Sequence, residues 1–166
     1  MYNEKRLREI AEELARGDPV STICQYWNVP REIAFDLVKL ALFDVVFLLD
    51  DSKSMTFFTG LIEELKSILS EVAFATGLLD RDGFSVRFMN SNAQGDNIKT
   101  KQQAAALVEQ VEFKGLTPLA SSLKKKILDP FVYQPHQAGK LVKPVLVIII
   151  TDGEVSFVPF FMIEIS

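Results

Sequence analysis

Two short, wholly apolar runs, each followed by an aspartate, place the strongest constraint on how this chain folds. Residues 45–49 and 145–150 have the length of single strands and contain no polar side chain. Uninterrupted runs of this kind are typical of parallel strands that are covered on both faces. Because helical patterns lie between them, the sequence predicts an α/β fold with an open, doubly wound, mostly parallel sheet.

The segment between the two runs predicts the helices and a further strand of such a sheet. A long amphipathic helix follows the first run, and Gly77 is expected to end it. Alternating phenylalanine, valine and polar residues predict a strand over 84–88, and the polar stretch 90–97 is expected to be a loop. Thr100 and Gln103 have the spacing of a capping box, which predicts another helix start.

Residues 1–43 are predicted to form a small helical segment ahead of the sheet region, which is assigned to residues 44–166. Gly17 ends a first helix, Asp18 caps a second and Pro30 opens a third. The turn before the third helix permits a helix-turn-helix interpretation. Because acidic and basic residues are nearly equal in number in this segment, we expect packing rather than nucleic-acid binding.

Charge and composition narrow the environment and the partners. The chain of 166 residues has 18 Lys and Arg against 22 Asp and Glu, a net charge of −4. This balance gives no general attraction to nucleic acid or to anionic lipid. A single cysteine excludes an internal disulfide, and no apolar run approaches the length of a membrane span. We therefore expect an intracellular, cytoplasmic protein without a membrane anchor.

Five oxygen-bearing residues form the candidate site. Asp50, Ser52 and Ser54 alternate along the turn after the first apolar run, and Asp152 follows the second. In open α/β sheets, ligands bind at the carboxyl ends of such strands. Thr117 lies in a glycine-containing loop, directly before a proline that is expected to start a helix. A set of hydroxyl and carboxylate oxygens suits Mg²⁺ or Mn²⁺ and does not suit zinc.

In these five residues the chain resembles the von Willebrand factor type A domain, over roughly residues 44–154. The metal-ion-dependent adhesion site of that family is Asp-x-Ser-x-Ser, a distant Thr, and an Asp after a later strand. The resemblance implies that Ser52, Ser54 and Thr117 touch the metal, while Asp50 and Asp152 hold its waters. It also implies a non-enzymatic, Mg²⁺-dependent protein-interaction module, in which an acidic side chain of a protein partner completes the metal shell.

Two features depart from the family pattern. Lys53 stands where the family usually has glycine. Its ammonium opposes a bound cation unless it points away or pairs with Asp51 or with a partner carboxylate. A complete domain of the family also continues beyond the Asp152 strand, so the resemblance implies a domain that is incomplete at its C-terminus. We would then expect an exposed sheet edge and poor solubility.

Two other function classes are alternatives. Aspartyl-phosphate phosphotransferases and hydrolases also place a reactive aspartate, here Asp50, after the first strand of an α/β sheet. They need a second carboxylate two residues later as acid and base, and that position holds Ser52. The missing base favours a protein that is not an enzyme. Nucleic-acid binding through the N-terminal helices is the other alternative.

Overall fold

A computed structural model of the protein describes residues 2, 4–80 and 82–153 as an α/β fold around an open four-stranded sheet. The strands are β1 (Asp44–Leu49), β2 (Phe84–Phe88), β3 (Gln94–Ile98) and β4 (Val145–Ile150), in the spatial order β3-β2-β1-β4. β1 pairs in parallel with both β2 and β4, whereas β3 is antiparallel to β2. The predicted α/β fold with a mostly parallel sheet is confirmed.

Helices precede the sheet and alternate with its strands. The first group is α1 (Glu4–Gly17), α2 (Pro19–Trp27), α3 (Arg31–Val38) and a 3₁₀ helix (Lys39–Leu42). A second 3₁₀ helix (Lys53–Thr56), α4 (Leu61–Leu79) and α5 (Lys101–Glu109) follow, and then α6 (Leu119–Ser122), a π-helix (Leu123–Tyr133) and α7 (Gln134–Gln137). None of the helices in the described ranges is long and apolar enough to cross a bilayer.

Helices cover both faces of the sheet, as a doubly wound arrangement requires. Successive side chains of β1 point to opposite faces because a strand has a period of two residues. Phe47 and its neighbours on the same face pack against α4 and α5, while Leu48 packs with Ile127 of the π-helix on the other. Both β1 side chains are almost fully buried, and each such burial contributes about 1.5–3 kcal/mol.

The N-terminal helices pack against the outer side of α4. The Tyr26 ring lies on the Phe74 ring with 4.0 Å between the centroids. The Trp27 indole Nε1 donates to a Glu71 carboxylate oxygen at 2.7 Å, and Lys101 Nζ donates to the other oxygen at 2.7 Å. Glu71 therefore links the N-terminal helices, α4 and α5.

The predicted helix starts are confirmed by their caps. The Asp18 side chain accepts a hydrogen bond from the Ser21 backbone N–H at 3.3 Å. Thr100 and Gln103 form the complete capping box, in which each side chain accepts a hydrogen bond from the backbone N–H of the other residue. Pro30 directly precedes α3. These signals are local in sequence, which is why they could be identified without tertiary information.

The prediction that Gly77 ends α4 is wrong, because the helix continues to Leu79. Gly77 serves a packing role instead. A β-carbon at this position would lie 2.7 Å from the Lys99 carbonyl oxygen, so only glycine lets the two segments approach this closely.

The prediction that residues 90–97 form a loop is also wrong in its second half, where β3 begins. β3 pairs with β2 through its backbone, and Ile98 is its one fully buried side chain. The Arg87–Asp96 ion pair, at 2.9 Å, adds a cross-strand contact. A polar edge strand of this kind lacks the hydrophobic alternation that identifies strands in a sequence.

The chain after α6 stays helical through Pro130, as a π-helix that runs from Leu123 to Tyr133. Proline has no N–H to donate and interrupts the hydrogen-bond ladder of an α-helix. The described helix has π spacing across this position, so its hydrogen bonds differ from the i→i−4 ladder that a proline interrupts.

We predict that Gly77→Ala lowers the free energy of unfolding by about 1–3 kcal/mol, as expected for overpacking. Alanine is the better helix former by about 1 kcal/mol, so a loss of stability would identify the contact with Lys99 as its cause. Gly17→Ala is the matched control, since the nearest atom to its new β-carbon is 4.0 Å away. Urea unfolding that shows the same change for both variants would contradict this assignment.

We predict that Glu71 contributes to stability in a pH-dependent way. Hydrogen bonds from Lys101 and then from Trp27 lower the pKa of Glu71. Its contribution should therefore be complete above the pKa of an unfolded glutamate, about 4.3, and be lost as the pH falls through the lower folded value. Glu71→Gln should destabilise the protein at neutral pH, and its difference from the wild type should shrink in acid.

Fluorescence of Trp27, the single tryptophan, measures this effect during urea unfolding at several pH values. Glu63→Gln on the same helix is the control, because Glu63 is exposed and pairs with Lys66 one turn away. A Glu71→Gln difference that stays constant from neutral pH to acid would show that the carboxylate makes no such contribution.

Candidate metal centre

The carboxyl ends of β1 and β4 lie side by side at one edge of the sheet. Leu49 is paired with Ile150, and the Asp50 N–H donates to the Ile150 carbonyl at 2.9 Å. The two loops that follow these strands therefore start from adjacent positions. One carries Ser52 and Ser54 and the other carries Asp152, so residues far apart in sequence meet at this edge.

A chain of hydrogen bonds joins four of the five candidate residues. The Ser52 and Ser54 hydroxyl oxygens are 2.9 Å apart, and Ser54 Oγ donates to Asp152 Oδ1 at 3.0 Å. Asp50 Oδ1 accepts from the Ser52 N–H at 2.8 Å, and Asp50 Oδ2 accepts from Thr151 Oγ1 at 2.6 Å. The carboxylate of Asp50 is thus fixed on both oxygens, and the hydroxyls lead from it to Asp152.

Thr117 lies beside this chain of hydrogen bonds without joining it. Its hydroxyl oxygen is 3.9 Å from the position that a β-carbon on Gly153 would occupy, which places it next to the Asp152 loop. The hydroxyl has no hydrogen bond to another residue in the described part of the chain, and the residue is exposed. Thr117 therefore presents a free hydroxyl at the rim of the site.

The solvent exposure of the site residues increases from Asp50, which is fully buried, to Thr117. Asp50 and Ser52 are 0% and 2% exposed, Ser54 and Asp152 are half-buried, and Thr117 is exposed. The closed side is formed by the end of the sheet, and the open side faces solvent past Ser54 and Thr117. Among residues 2, 4–80 and 82–153, a ligand would therefore reach these oxygens from the open side.

Asp51, which the sequence reasoning did not include among the site residues, holds the surrounding loops together. Its fully buried carboxylate accepts hydrogen bonds from the Asn90 N–H at 2.7 Å, the Ser91 N–H at 2.7 Å and Asn90 Nδ2 at 3.1 Å. The Asp51 carbonyl accepts from the Lys114 N–H at 2.7 Å. The sequence signal for this role of Asp51 was its position beside Asp50, directly after a buried strand.

The loop that carries Thr117 contacts the loop after β1 directly. The Lys53 N–H donates to the Gly115 carbonyl at 3.2 Å, and Asn90 Nδ2 donates to the Leu116 carbonyl at 2.9 Å. Gly115 has a φ of +90°, and a β-carbon there would lie 2.8 Å from Asn90 Oδ1. Glycine is therefore required at this point for the loop to come close enough.

The Lys53 side chain does not neutralise the site. It is exposed, and it forms no ion pair with any residue of the described ranges. Pairing with Asp51, one of the three arrangements considered from the sequence, is not observed, because the Asp51 oxygens are buried and accept N–H donors.

The donors of the site are of the kind that Mg²⁺ takes, because Mg²⁺ prefers oxygen ligands in a near-octahedral shell. The Ser52–Ser54 and Ser54–Asp152 oxygen pairs are 2.9 and 3.0 Å apart, which are the distances of the hydrogen bonds that join them. No group of three or more His, Cys, Asp or Glu able to hold a metal occurs in the described part of the chain. The candidate site depends on hydroxyl donors instead.

Comparisons with protein families, curated proteins and solved structures find no match to this chain.

We predict that Asp51→Asn lowers the free energy of unfolding by about 2–4 kcal/mol. An asparagine has one acceptor oxygen, so at least one buried N–H of the Asn90–Ser91 turn would face an amide that also donates. Asp36→Asn is the control, since Asp36 is exposed and bonds only to Lys39. A chemical-denaturation difference between the two variants below about 0.5 kcal/mol would show that Asp51 does not hold the loops.

Proposed function

We propose that this protein is a non-enzymatic, Mg²⁺-dependent protein-binding module of the von Willebrand factor type A kind. The observation that carries the proposal is the bonded chain of oxygens from Ser52 through Ser54 to Asp152, with Thr117 beside it. These residues come from three loops at the carboxyl edge of the sheet, where ligands of open α/β sheets bind. Mn²⁺ has the same preference for oxygen and is a second suitable ion.

The same donors explain why a partner would be needed to complete the metal shell. Ser52, Ser54 and Thr117 are neutral hydroxyls, so they leave most of the charge of a bound dication unbalanced. Asp50 is buried with both oxygens already bonded, which leaves Asp152 as the nearest partly accessible carboxylate. An acidic side chain approaching from the open side would supply the missing negative charge, and a bound metal would act as the Lewis acid that attracts it.

Exposed apolar side chains lie close in sequence to the site residues and support a protein as the partner. Phe57 and Phe58 follow the 3₁₀ helix that contains Ser54, and they are 67% and 69% exposed. Leu116, next to Thr117, is 84% exposed. Large apolar residues at a rim of polar groups are typical of interaction sites, where aromatic residues often provide much of the binding energy.

The alternative functions receive less support from the geometry. A phosphorylated aspartate must be reachable, whereas Asp50 is fully buried and both its oxygens accept hydrogen bonds. The residue two positions later, Ser52, is bonded to Ser54 and offers no base. For nucleic acid, α3 presents Ile33 and Phe35 to solvent rather than a row of cations.

We predict that Mg²⁺ and Mn²⁺ bind to the purified chain at a single site in isothermal titration. The double variant Ser52→Ala/Thr117→Ala should weaken binding by more than about 100-fold, since it removes two proposed ligands. The control is Thr22→Ala/Ser67→Ala, because Thr22 bonds to the Asp18 carbonyl among the N-terminal helices and Ser67 is an exposed residue of α4, and neither lies in a loop of the site. A folded chain that binds neither ion, or binds both equally well after the Ser52/Thr117 change, would refute the metal site.

The Mn²⁺ complex also provides a test of the open position. Bound Mn²⁺ enhances the relaxation of exchangeable water protons, so acetate that takes the place of a bound water should lower the enhancement in a saturable way. The same titration with Mn²⁺ and acetate, but with no protein, gives the reference. If acetate leaves the enhancement unchanged, a partner carboxylate does not complete the shell.

A further inference from the structure

A small basic cavity lies next to the candidate metal centre, between the β2–β3 turn and the π-helix. Its volume is about 220 Å³. The polar residues that line it are Arg87, Ser91, Asn92, Gln94, Lys125 and Lys126. We call it the basic cavity. None of these residues belongs to the five oxygen donors of the proposed metal site.

The charges around the basic cavity are not balanced within the described part of the chain. Arg87 is paired with Asp96 at 2.9 Å. The Lys126 ammonium donates to two carbonyls, those of Phe88 and Ser91, both at 2.7 Å, and it makes no ion pair with a described carboxylate. Lys125 is exposed and likewise has no ion pair there. Two lysine charges therefore remain without a bonded anion.

Burial adds to this imbalance at Lys126. Removal from water lowers the pKa of the Lys126 ammonium, and the more distant Asp51 carboxylate opposes that shift only in part. Neutral carbonyls bind an ammonium without compensating its charge. An anion in the basic cavity would therefore be stabilised by a partly desolvated cation, where Coulomb attraction is stronger than in bulk water.

The size of the basic cavity limits what this anion can be. Pockets for small molecules usually measure about 300–1,000 Å³, so a volume of about 220 Å³ admits one small group rather than a whole cofactor. Ser91, Asn92 and Gln94 supply polar side chains around the two lysines. Two positive charges and several hydrogen-bonding groups match a compact dianion with several acceptor oxygens.

We propose that the basic cavity binds a phosphate group through Lys125 and Lys126. Ser91 stands between this site and the metal centre: its N–H donates to Asp51 and its carbonyl accepts from Lys126. The two sites thus share one wall, but their ligating groups are different. Phosphate binding in the basic cavity does not require a metal ion. Its test is therefore independent of the test of the proposed protein-binding function.

Inorganic phosphate is the probe, added to the full chain at constant ionic strength and at a pH of about 8, where phosphate carries close to two charges. EDTA is present throughout, so a metal-bound phosphate cannot produce the signal. In amide NMR spectra we expect saturable shifts at residues 91–94 and at the start of the π-helix. Acetate, with one charge, should bind at least about tenfold more weakly.

Lys125→Gln should weaken phosphate binding by about threefold to tenfold, since it removes one exposed charge from the site. Lys124→Gln is the matched control, because the neighbouring Lys124 pairs with Asp129 and does not line the basic cavity. The proposal is overturned if the shifts do not saturate, if both variants weaken binding equally, or if acetate binds as well as phosphate.

Discussion

The burial of β1 on both faces and its pairing on both edges fix the position of everything that follows it. The register of this strand is fixed, because a shift by one residue would exchange its two buried faces. Its end is therefore set, with the Asp50 N–H bonded to Ile150 on one side and the Leu49 carbonyl accepting from the Met89 N–H on the other. The loop after β1 thus begins between the ends of β4 and β2. This position brings Ser52 and Ser54 within hydrogen-bond distance of each other and of Asp152.

The buried carboxylate of Asp51 then holds the loops around this point in a defined geometry. The Asp51 carboxylate replaces its lost hydration with N–H donors of the turn after β2, which is the compensation that buried charges require. Backbone hydrogen bonds of Lys114 and Gly115 to Asp51 and Lys53 also hold the loop that carries Thr117. The proposed ligands themselves make few bonds to the rest of the protein, so the loops are positioned mainly by residues that would not touch a metal.

The sequence was sufficient where the signal was local, and it failed where the cause was a tertiary neighbour. The two apolar runs predicted β1 and β4, and the aspartates at their ends marked two of the loops that carry the candidate oxygens. Gly77 resembled a helix end, because nothing nearby in the sequence indicates that the Lys99 carbonyl approaches α4. β3 is polar, and its strand conformation depends on the free edge of β2. Asp51 was missed since its donors, Asn90 and Ser91, are about forty positions away.

Helix α4 contacts two layers of the fold, the core of the sheet and the N-terminal helices. Its inner side belongs to the core of the sheet through residues such as Leu65 and Leu69, while Leu79 is part of the cluster formed by the N-terminal helices. Phe74 and Glu71 extend that second contact. Loss of the N-terminal helices would therefore expose apolar surface of α4 to water. The small helical segment thus covers part of the helix that itself covers the sheet.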